Sequence, residues 1–348
     1  MPLHQIVTIK INSIKLRTLL SILLFFITPL VFSQSFYSEN IDSQDGLSNN
    51  AIRALFQDSR GYIWIGTDGG VSRWDGTTFR NYNTLNGLAG NKVWSIDEDE
   101  FGNLWFASFG AGISKFDGKT FTTFNIDNGL VDNSVRQVKY SNQLSALLID
   151  TNKSISVLKD SVFHNFSSRN KLLRKDVIIT DIKEDSNRAL FVDFSSDHYS
   201  LSLNQKKQLE LKREYNEWIN PEGLCCMFTS LNSDTIVGVG RVGILAKDQY
   251  GINLHKRIGQ VFSISEDDAN KKYLASWNGS GIAPDGGLFS YDKGIVKALN
   301  KDYDIKSIMG WSSLYFDNQN VLFYGTLDAG LYSLPPTYFE YFDGKYFK

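Results

Sequence analysis

Cysteine is almost absent from this chain of 348 residues, and the two that occur, Cys225 and Cys226, are adjacent. Adjacent cysteines cannot bridge distant segments, since a disulfide between them closes only a small, strained ring. We expect them to pack inside a strand, where a reduced thiol behaves as a small apolar side chain. Two thiols without a nearby histidine fall short of the four ligands of a zinc site, so we expect no metal and no cofactor.

Proline is also scarce, with six residues, whereas the chain has 28 glycines and an aromatic fraction of 14%. This composition favours many short strands joined by tight turns over a disordered chain. Neither sign of charge is in excess, because 36 Lys and Arg stand against 38 Asp and Glu, for a net charge of -2. Since the chain has no basic stripe that could neutralise phosphates, we do not expect it to bind nucleic acid.

Long apolar runs are missing except for one near the N-terminus, at residues 19–32. Basic residues precede this run, and the small residue Ser33 follows it. That order is typical of an export signal, whereas a membrane span requires about 20 apolar residues. We predict a signal peptide over residues 1–33, cleavage near Ser33, and a periplasmic or secreted protein. An uncleaved membrane anchor is the alternative.

A sequence unit that begins with Gly-Leu occurs twice, 41 residues apart, at Gly46 and Gly87. The copies read GLSNNAIRALFQDSRGYIWIGTDGGVSRWDG and GLAGNKVWSIDEDEFGNLWFASFGAGISKFDG, and a third Gly-Leu follows at Gly129. Fixed periods of about 20 to 50 residues are typical of repeat folds. The period of hydrophobic residues within the unit is not that of a helix.

Each copy divides into four short strands separated by turns. Asp58 and Gly61 are expected to form the first turn, because Asp accepts backbone N–H bonds and Gly adopts positive φ. Trp64 is expected to pack the second strand against the next unit. Four strands in about 40 to 45 residues are typical of a β-propeller blade. The same structural positions in the second copy are held by Asp99, Gly102 and Trp105.

The later copies are eroded but traceable, and they predict an all-β fold: a seven-bladed β-propeller of four-stranded antiparallel blades over residues 34–348. Six or eight blades are the alternatives. Residues 36–40 precede the first Gly-Leu as FRNYN and FTTFN precede the next two, so the N-terminus can supply the outer strand of the last blade. The C-terminal hairpin sequence FDGKYF competes for that place. The predicted blades start near residues 51, 92, 134, 177, 225, 260 and 308.

The unit at residues 46–76 resembles the two-component regulator propeller repeat, which builds the periplasmic sensor regions of hybrid two-component systems in Bacteroidetes. The resemblance implies a propeller that senses a ligand, often an oligosaccharide in polysaccharide-use signalling. It also implies a partner with histidine kinase output, because this chain shows no kinase ATP-site pattern and no receiver. The chain is then a sensor-like module, a product of a split gene or a truncated relative.

Propeller topology places the start of each first strand and the loop after each second strand on one rim. Trp94 is suited to stack on a sugar ring, and arginine grips carboxylate or sulfate. The alternative is that the arginines only line a solvated channel and Trp94 is packing. Loop positions on the same face include Phe109, Asp193, Arg241 and Asp328, and first-strand positions include Thr180, Phe262 and Ser312. The predicted ligand-binding residues are Arg53, Trp94, Arg136, Asp68 and Trp277.

Catalysis is not favoured, and we predict no catalytic residues. After the signal segment, the histidines are His164, His198 and His255, which are far apart in the chain. A general acid or base needs a positioned partner, and no such constellation is evident. A propeller lyase or glycosidase, a scaffold that binds protein through the blade rim, and a remnant without function remain alternatives to the sensor.

Overall fold

Seven four-stranded antiparallel sheets are formed by the part of the chain that this computed structural model describes. The number is consistent with the seven blades expected from the repeat. The structure describes residues 38–151, 154–167, 181–184, 189–192, 198–204, 208–214, 228–231, 234–239, 243–248, 251–256, 258–269, 271–277, 286–292, 294–307 and 309–335. The signal segment and both cysteines lie outside these ranges.

The strands follow the chain in order, four to a blade. Blades 1 to 3 contain β2 (Ile52–Gln57), β3 (Ile63–Thr67), β4 (Gly70–Trp74), β5 (Phe79–Tyr82), β6 (Val93–Glu98), β7 (Leu104–Ser108), β8 (Gly112–Phe116), β9 (Phe121–Phe124), β10 (Val135–Ser141), β11 (Ala146–Thr151), β12 (Ser154–Lys159) and β13 (Val162–Ser167). Blades 4 and 5 contain β14 (Asp181–Glu184), β15 (Ala189–Val192), β16 (His198–Leu203), β17 (Leu209–Glu214), β18 (Phe228–Leu231), β19 (Asp234–Val239), β20 (Gly243–Asp248) and β21 (Gly251–Lys256). Blade 6 contains β22 (Gln260–Glu266), β23 (Lys272–Trp277), β24 (Gly287–Asp292) and β25 (Ile295–Ala298).

Blade 7 is closed by both ends of the described chain. It contains β26 (Gly310–Phe316), β27 (Leu322–Thr326) and β28 (Leu331–Leu334), and its fourth strand is β1 (Glu39–Ile41). In this pairing Asn40 lies opposite Tyr332. Of the two closures that the sequence allowed, the structure therefore contains the N-terminal one; the competing C-terminal hairpin lies outside the described residues. Closure gives β28 a hydrogen-bonded neighbour on its outer side, so its edge is covered.

The first strands of the blades lie side by side. β2 contacts both β6 and β26, β6 contacts β10, and β22 contacts β26. Blades 6, 7, 1, 2 and 3 therefore follow one another in that order, with their first strands innermost. The helices in the described ranges are two short 3-10 turns, Thr84–Asn86 and Ile126–Asn128, in the connectors between blades. Within those same ranges, no helix is long and apolar enough to cross a membrane.

The repeated Asp and Trp fasten the first hairpin of a blade. The buried Asp58 carboxylate accepts hydrogen bonds from the backbone N–H groups of Arg60 and Tyr62, and from the Trp64 indole N–H at 2.9 Å. Asp99 does the same in blade 2, where it accepts from the Trp105 indole at 3.0 Å. The turn glycines Gly61 and Gly102 have φ of 90° and 77°, which other residues rarely adopt.

The repeated Gly-Leu pair locks the connector between blades. Gly87 ends a 3-10 turn with φ of 100°, and a Cβ there would lie 3.3 Å from Phe121 of the next blade's outer strand. Leu88 follows it into the core between blades 1 and 2. Gly87 and Leu88 fix the connector and pack between the blades. These strongly repeated residues therefore serve the structure rather than ligand recognition.

Candidate functional site

A β-bulge of one extra residue near the start of the first strand recurs in blades 1, 2, 3 and 6. In blade 1, Ile52 pairs with Thr67 and Ala54 pairs with Gly66, so that Arg53 is the extra residue between them. A bulge leaves one residue outside the ladder and re-aims its side chain. The equivalent extra residues in the other three blades are Trp94, Arg136 and Phe262. The rim that carries these residues is called the mouth below.

Blades 1 and 2 join their bulge residues into one array. The Arg53 guanidinium binds the Asp68 carboxylate through two parallel hydrogen bonds, Nε to Oδ1 at 2.9 Å and the second nitrogen to Oδ2 at 2.8 Å. The same guanidinium lies 5.3 Å from the centroid of the Trp94 ring. Trp94 in turn stacks on Phe109, with centroids 4.3 Å apart and planes 11° from parallel. All four side chains are part-exposed.

Blade 3 contributes a second arginine–aspartate pair. Arg136 Nε lies 3.2 Å from Asp150 Oδ2, and a terminal nitrogen donates to Asp150 Oδ1 and to the Thr151 carbonyl. Asp150 is 1% exposed and occupies the position of Gly66 in blade 1. A Cβ at Gly66 would approach Val93 O to 2.7 Å, which explains why a small residue stands there. Sequence reasoning missed Asp150, although a carboxylate at a small-residue position was a readable signal.

Blade 6 repeats the aromatic pairing of blade 2. The rings of Phe262 and Trp277 lie 6.3 Å apart at 39°, and both side chains are half-buried. Phe262 is the bulge residue, and Trp277 follows Ser276, which pairs with Val261 as Ser108 pairs with Val93. The pair is therefore built from the same two positions as Trp94 and Phe109. Blades 7 and 1 separate the two aromatic pairs along the ring.

Three described loops of the mouth, in blades 2, 6 and 7, are tied to the next blade. Phe109 forms an isolated β-bridge with Ser134 at the start of blade 3, and Trp277 forms one with Met309 before blade 7. The Gly330 N–H donates to Asn50 O at the start of blade 1. Groups fixed in this way on a rigid scaffold lose little freedom on binding a ligand.

The structure thus places Arg53 against both Asp68 and Trp94. Arg136 lies in the next blade against Asp150, and Trp277 lies in blade 6 against Phe262. Asp328 accepts a hydrogen bond from the Ser307 hydroxyl on the same rim. Thr180, Asp193 and Arg241 lie outside the described residues, and the side chain of Ser312 is not described.

A second polar cluster links the inner strands of blades 2 and 3 below the mouth. Asp97 is 4% exposed, lies 3.0 Å from Lys139 Nζ, and accepts a hydrogen bond from the Tyr140 backbone N–H. Burial raises the pKa of Asp97, and the attraction of Lys139 opposes that rise without cancelling it. The Tyr140 hydroxyl donates to Glu100. The cluster fastens adjacent blades near the axis.

Other chemistry at the mouth is limited. In the part of the chain that the structure describes, no group of three or more His, Cys, Asp or Glu side chains could hold a metal ion. His164 is exposed on β13, the outer strand of blade 3, and therefore lies away from the mouth. His198 and His255 lie in β16 and β21, and their side chains are not described.

Comparison with known proteins confirms the resemblance of the repeat. The family described as two component regulator propeller matches residues 46–69 and 87–110. The extracellular domain assigned to the hybrid two component system BT3049 of B. thetaiotaomicron is 20% identical, with a TM-score of 0.68, over 87% of this chain and 42% of that one. The extracellular domain of BT4673 from the same organism is 14% identical, with a TM-score of 0.64, over 86% of this chain and 40% of that one.

A propeller enzyme has a similar fold. Virginiamycin B lyase from Staphylococcus aureus, solved with quinupristin, is 13% identical with a TM-score of 0.64, over 86% of this chain and 99% of that one. At these identities the likeness shows the propeller fold alone. The chain spans about two fifths of the length of the two extracellular domains. No curated protein matches the sequence.

Proposed function

We propose that this chain is an exported sensor-like propeller that binds an oligosaccharide at its mouth. The observation that carries the proposal is the array of Asp68, Arg53, Trp94 and Phe109 across blades 1 and 2. A part-exposed aromatic ring beside a fixed polar pair is the combination by which proteins hold sugars, because the ring covers the apolar face and the polar groups bind the hydroxyls.

The two aromatic pairs extend the same argument to the size of the ligand. Trp94 with Phe109 and Phe262 with Trp277 occupy equivalent positions in blades that are not adjacent. A ligand that contacts both pairs must be a chain of several sugar rings rather than a monosaccharide. The proposed ligand is therefore an oligosaccharide that crosses the mouth.

The signalling output is proposed to lie with a partner. The extracellular domains with a similar fold are described as parts of two component systems, which supports a periplasmic location for this chain. We propose that it is exported with cleavage near Ser33 and that it acts with a histidine kinase or another membrane sensor component.

Calorimetric titration of the protein with a panel of oligosaccharides tests the site. Trp94→Ala should weaken binding by about 1 to 3 kcal/mol, because the ligand loses an aromatic platform. Trp94→Phe keeps a ring at that place and should retain part of the affinity. Thermal unfolding of each variant checks that the fold is retained.

The matched control is Phe101→Ala. Phe101 belongs to the same blade but lies in the hairpin at the opposite rim, where it is 78% exposed, so its loss should leave binding unchanged. An oligosaccharide affinity that is the same in the wild type and in Trp94→Ala would refute the mouth as the binding site. It would favour a scaffold that binds protein through the blade rim.

A further inference from the structure

We propose that the mouth selects uncharged oligosaccharides over anionic ones of the same backbone. This inference rests on the proposed function and narrows its ligand class. It follows from the partners of the two arginines that the sequence suggested for gripping carboxylate or sulfate.

Two nitrogens on one edge of the Arg53 guanidinium already donate hydrogen bonds to Asp68. The two bonds of 2.8 and 2.9 Å have the fork geometry in which arginine binds a carboxylate. The guanidinium carbon also lies 5.3 Å from the centroid of the Trp94 ring. An anionic sugar would have to displace Asp68 from this edge before Arg53 could bind it.

The exposure of the pair favours the carboxylate as the group that meets the ligand. The Asp68 side chain is 27% exposed, against 16% for Arg53. A carboxylate accepts about four hydrogen bonds, and Arg53 occupies two of these positions. The remaining lone pairs suit the hydroxyl donors of a neutral sugar and repel a uronate or sulfate group.

Arg136 is neutralised in a way that a ligand cannot easily reverse. Its partner Asp150 is 1% exposed and is held inside blade 3. Separating the pair would leave a buried charge without compensation, which is strongly unfavourable. Both described arginines among the predicted site residues are therefore balanced by aspartates within hydrogen-bond distance.

The experiment compares neutral tetrasaccharides with their uronate counterparts. Cellotetraose, β-1,4-mannotetraose and α-1,4-galactotetraose are titrated by calorimetry, each beside the tetrauronate of the same sugar and linkage. We expect a neutral probe to bind at least about tenfold more tightly than its uronate. Its affinity should change by less than about twofold between roughly 20 and 500 mM NaCl, since no net charge is screened.

Asp68→Asn tests whether the Asp68 carboxylate causes the discrimination against anionic sugars. The substitution removes the negative charge opposite Arg53 and one of its two acceptor oxygens, so the affinity for the corresponding tetrauronate should rise by about tenfold. Asp268→Asn is the matched control, because it removes the same charge from an exposed turn at the opposite rim and should change nothing. The salt series and the paired titrations on the wild type test the preference for neutral sugars even where a variant folds poorly.

The outcomes separate the two proposals. A tetrauronate that binds the wild type as tightly as its neutral counterpart, with an affinity that depends on Trp94 and falls with salt, would refute the charge selectivity and leave the saccharide site standing. Failure of every probe to bind the wild type would refute both.

Discussion

Replacement of Trp64 by alanine is the sharpest test of the blade packing. Trp64 is 0% exposed, and its ring lies 5.7, 5.5 and 5.8 Å from the rings of Tyr82, Phe106 and Phe116. These partners come from blades 1 and 2, so the substitution opens a cavity at the interface between them. Tryptophan-to-alanine changes in cores cost about 3 to 5 kcal/mol, and the complete burial places Trp64→Ala at about 5 kcal/mol.

Trp64 stabilises the fold both by its packed volume and by its hydrogen bond to Asp58. Further substitutions measure the two contributions separately. When Trp64 is removed, the carboxylate keeps the backbone donors of Arg60 and Tyr62, so the loss is chiefly the cavity. Trp64→Phe keeps most of the volume and removes the N–H donor to a charged acceptor, at a cost of about 2 kcal/mol. Asp58→Ala instead leaves a buried indole N–H without an acceptor, and a double-mutant cycle with Trp64→Phe should give a coupling of about 1.5 to 3 kcal/mol.

Urea unfolding followed by far-ultraviolet circular dichroism measures these differences without relying on tryptophan fluorescence. Equal slopes against urea in the wild type and the variants are required for comparing midpoints as stability. A loss below about 1 kcal/mol in Trp64→Ala would mean that the residue does not fill the interface between blades 1 and 2, and the packing described above would be wrong.

Two further predictions concern the inner cluster and export. The pKa of Asp97 is raised in the folded protein above the ordinary value of 3.8, so its contribution to stability is fully present below about pH 3.8 and is lost as pH rises through the folded pKa. Asp97→Asn should therefore gain stability relative to the wild type as pH rises from about 4 to 7, and urea midpoints that keep a constant difference would contradict this. For export, mass spectrometry of the periplasmic protein should find an N-terminus within a few residues of Gln34; intact Met1 in the membrane fraction would establish an anchor instead.

The repeat made most of the fold predictable. The copies at Gly46 and Gly87 carry the same Asp, Gly and Trp at the same spacing. A conserved spacing of turn and strand residues within one chain predicts the same hairpin in each copy. The predicted first strand at residues 51–57 is Ile52–Gln57 in the structure. Closure by β1 was also suggested by sequence, because residues 36–40 stand where an outer strand stands in the other copies.

The partners within the mouth were not predictable in the same way. Arg53 and Asp68 are 15 residues apart, and only the bulge between Ile52 and Ala54 turns the arginine toward the carboxylate. A bulge depends on the register between two strands, which the pattern of hydrophobic residues does not specify to one residue. The sequence therefore shows Arg53 and Arg136 but not the pairing with Asp68 and Asp150 that the fold produces.

The bulge position in the first strand explains how the side chains of the mouth can vary while the rest of the blade is repeated. Thr67, Ser108, Thr151 and Thr326 end the second strands of four blades, and Ser276 is the last residue but one of that strand in blade 6. All five are fully buried. The residue that bulges opposite this buried hydroxyl is Arg in blades 1 and 3, Trp in blade 2 and Phe in blade 6. Because the bulge lies outside the ladder, its side chain can change without disturbing the Asp–Trp hairpin or the Gly-Leu connector. Ligand selectivity in this fold is therefore expected to depend on the bulge residues and on the loop residues that pair with them.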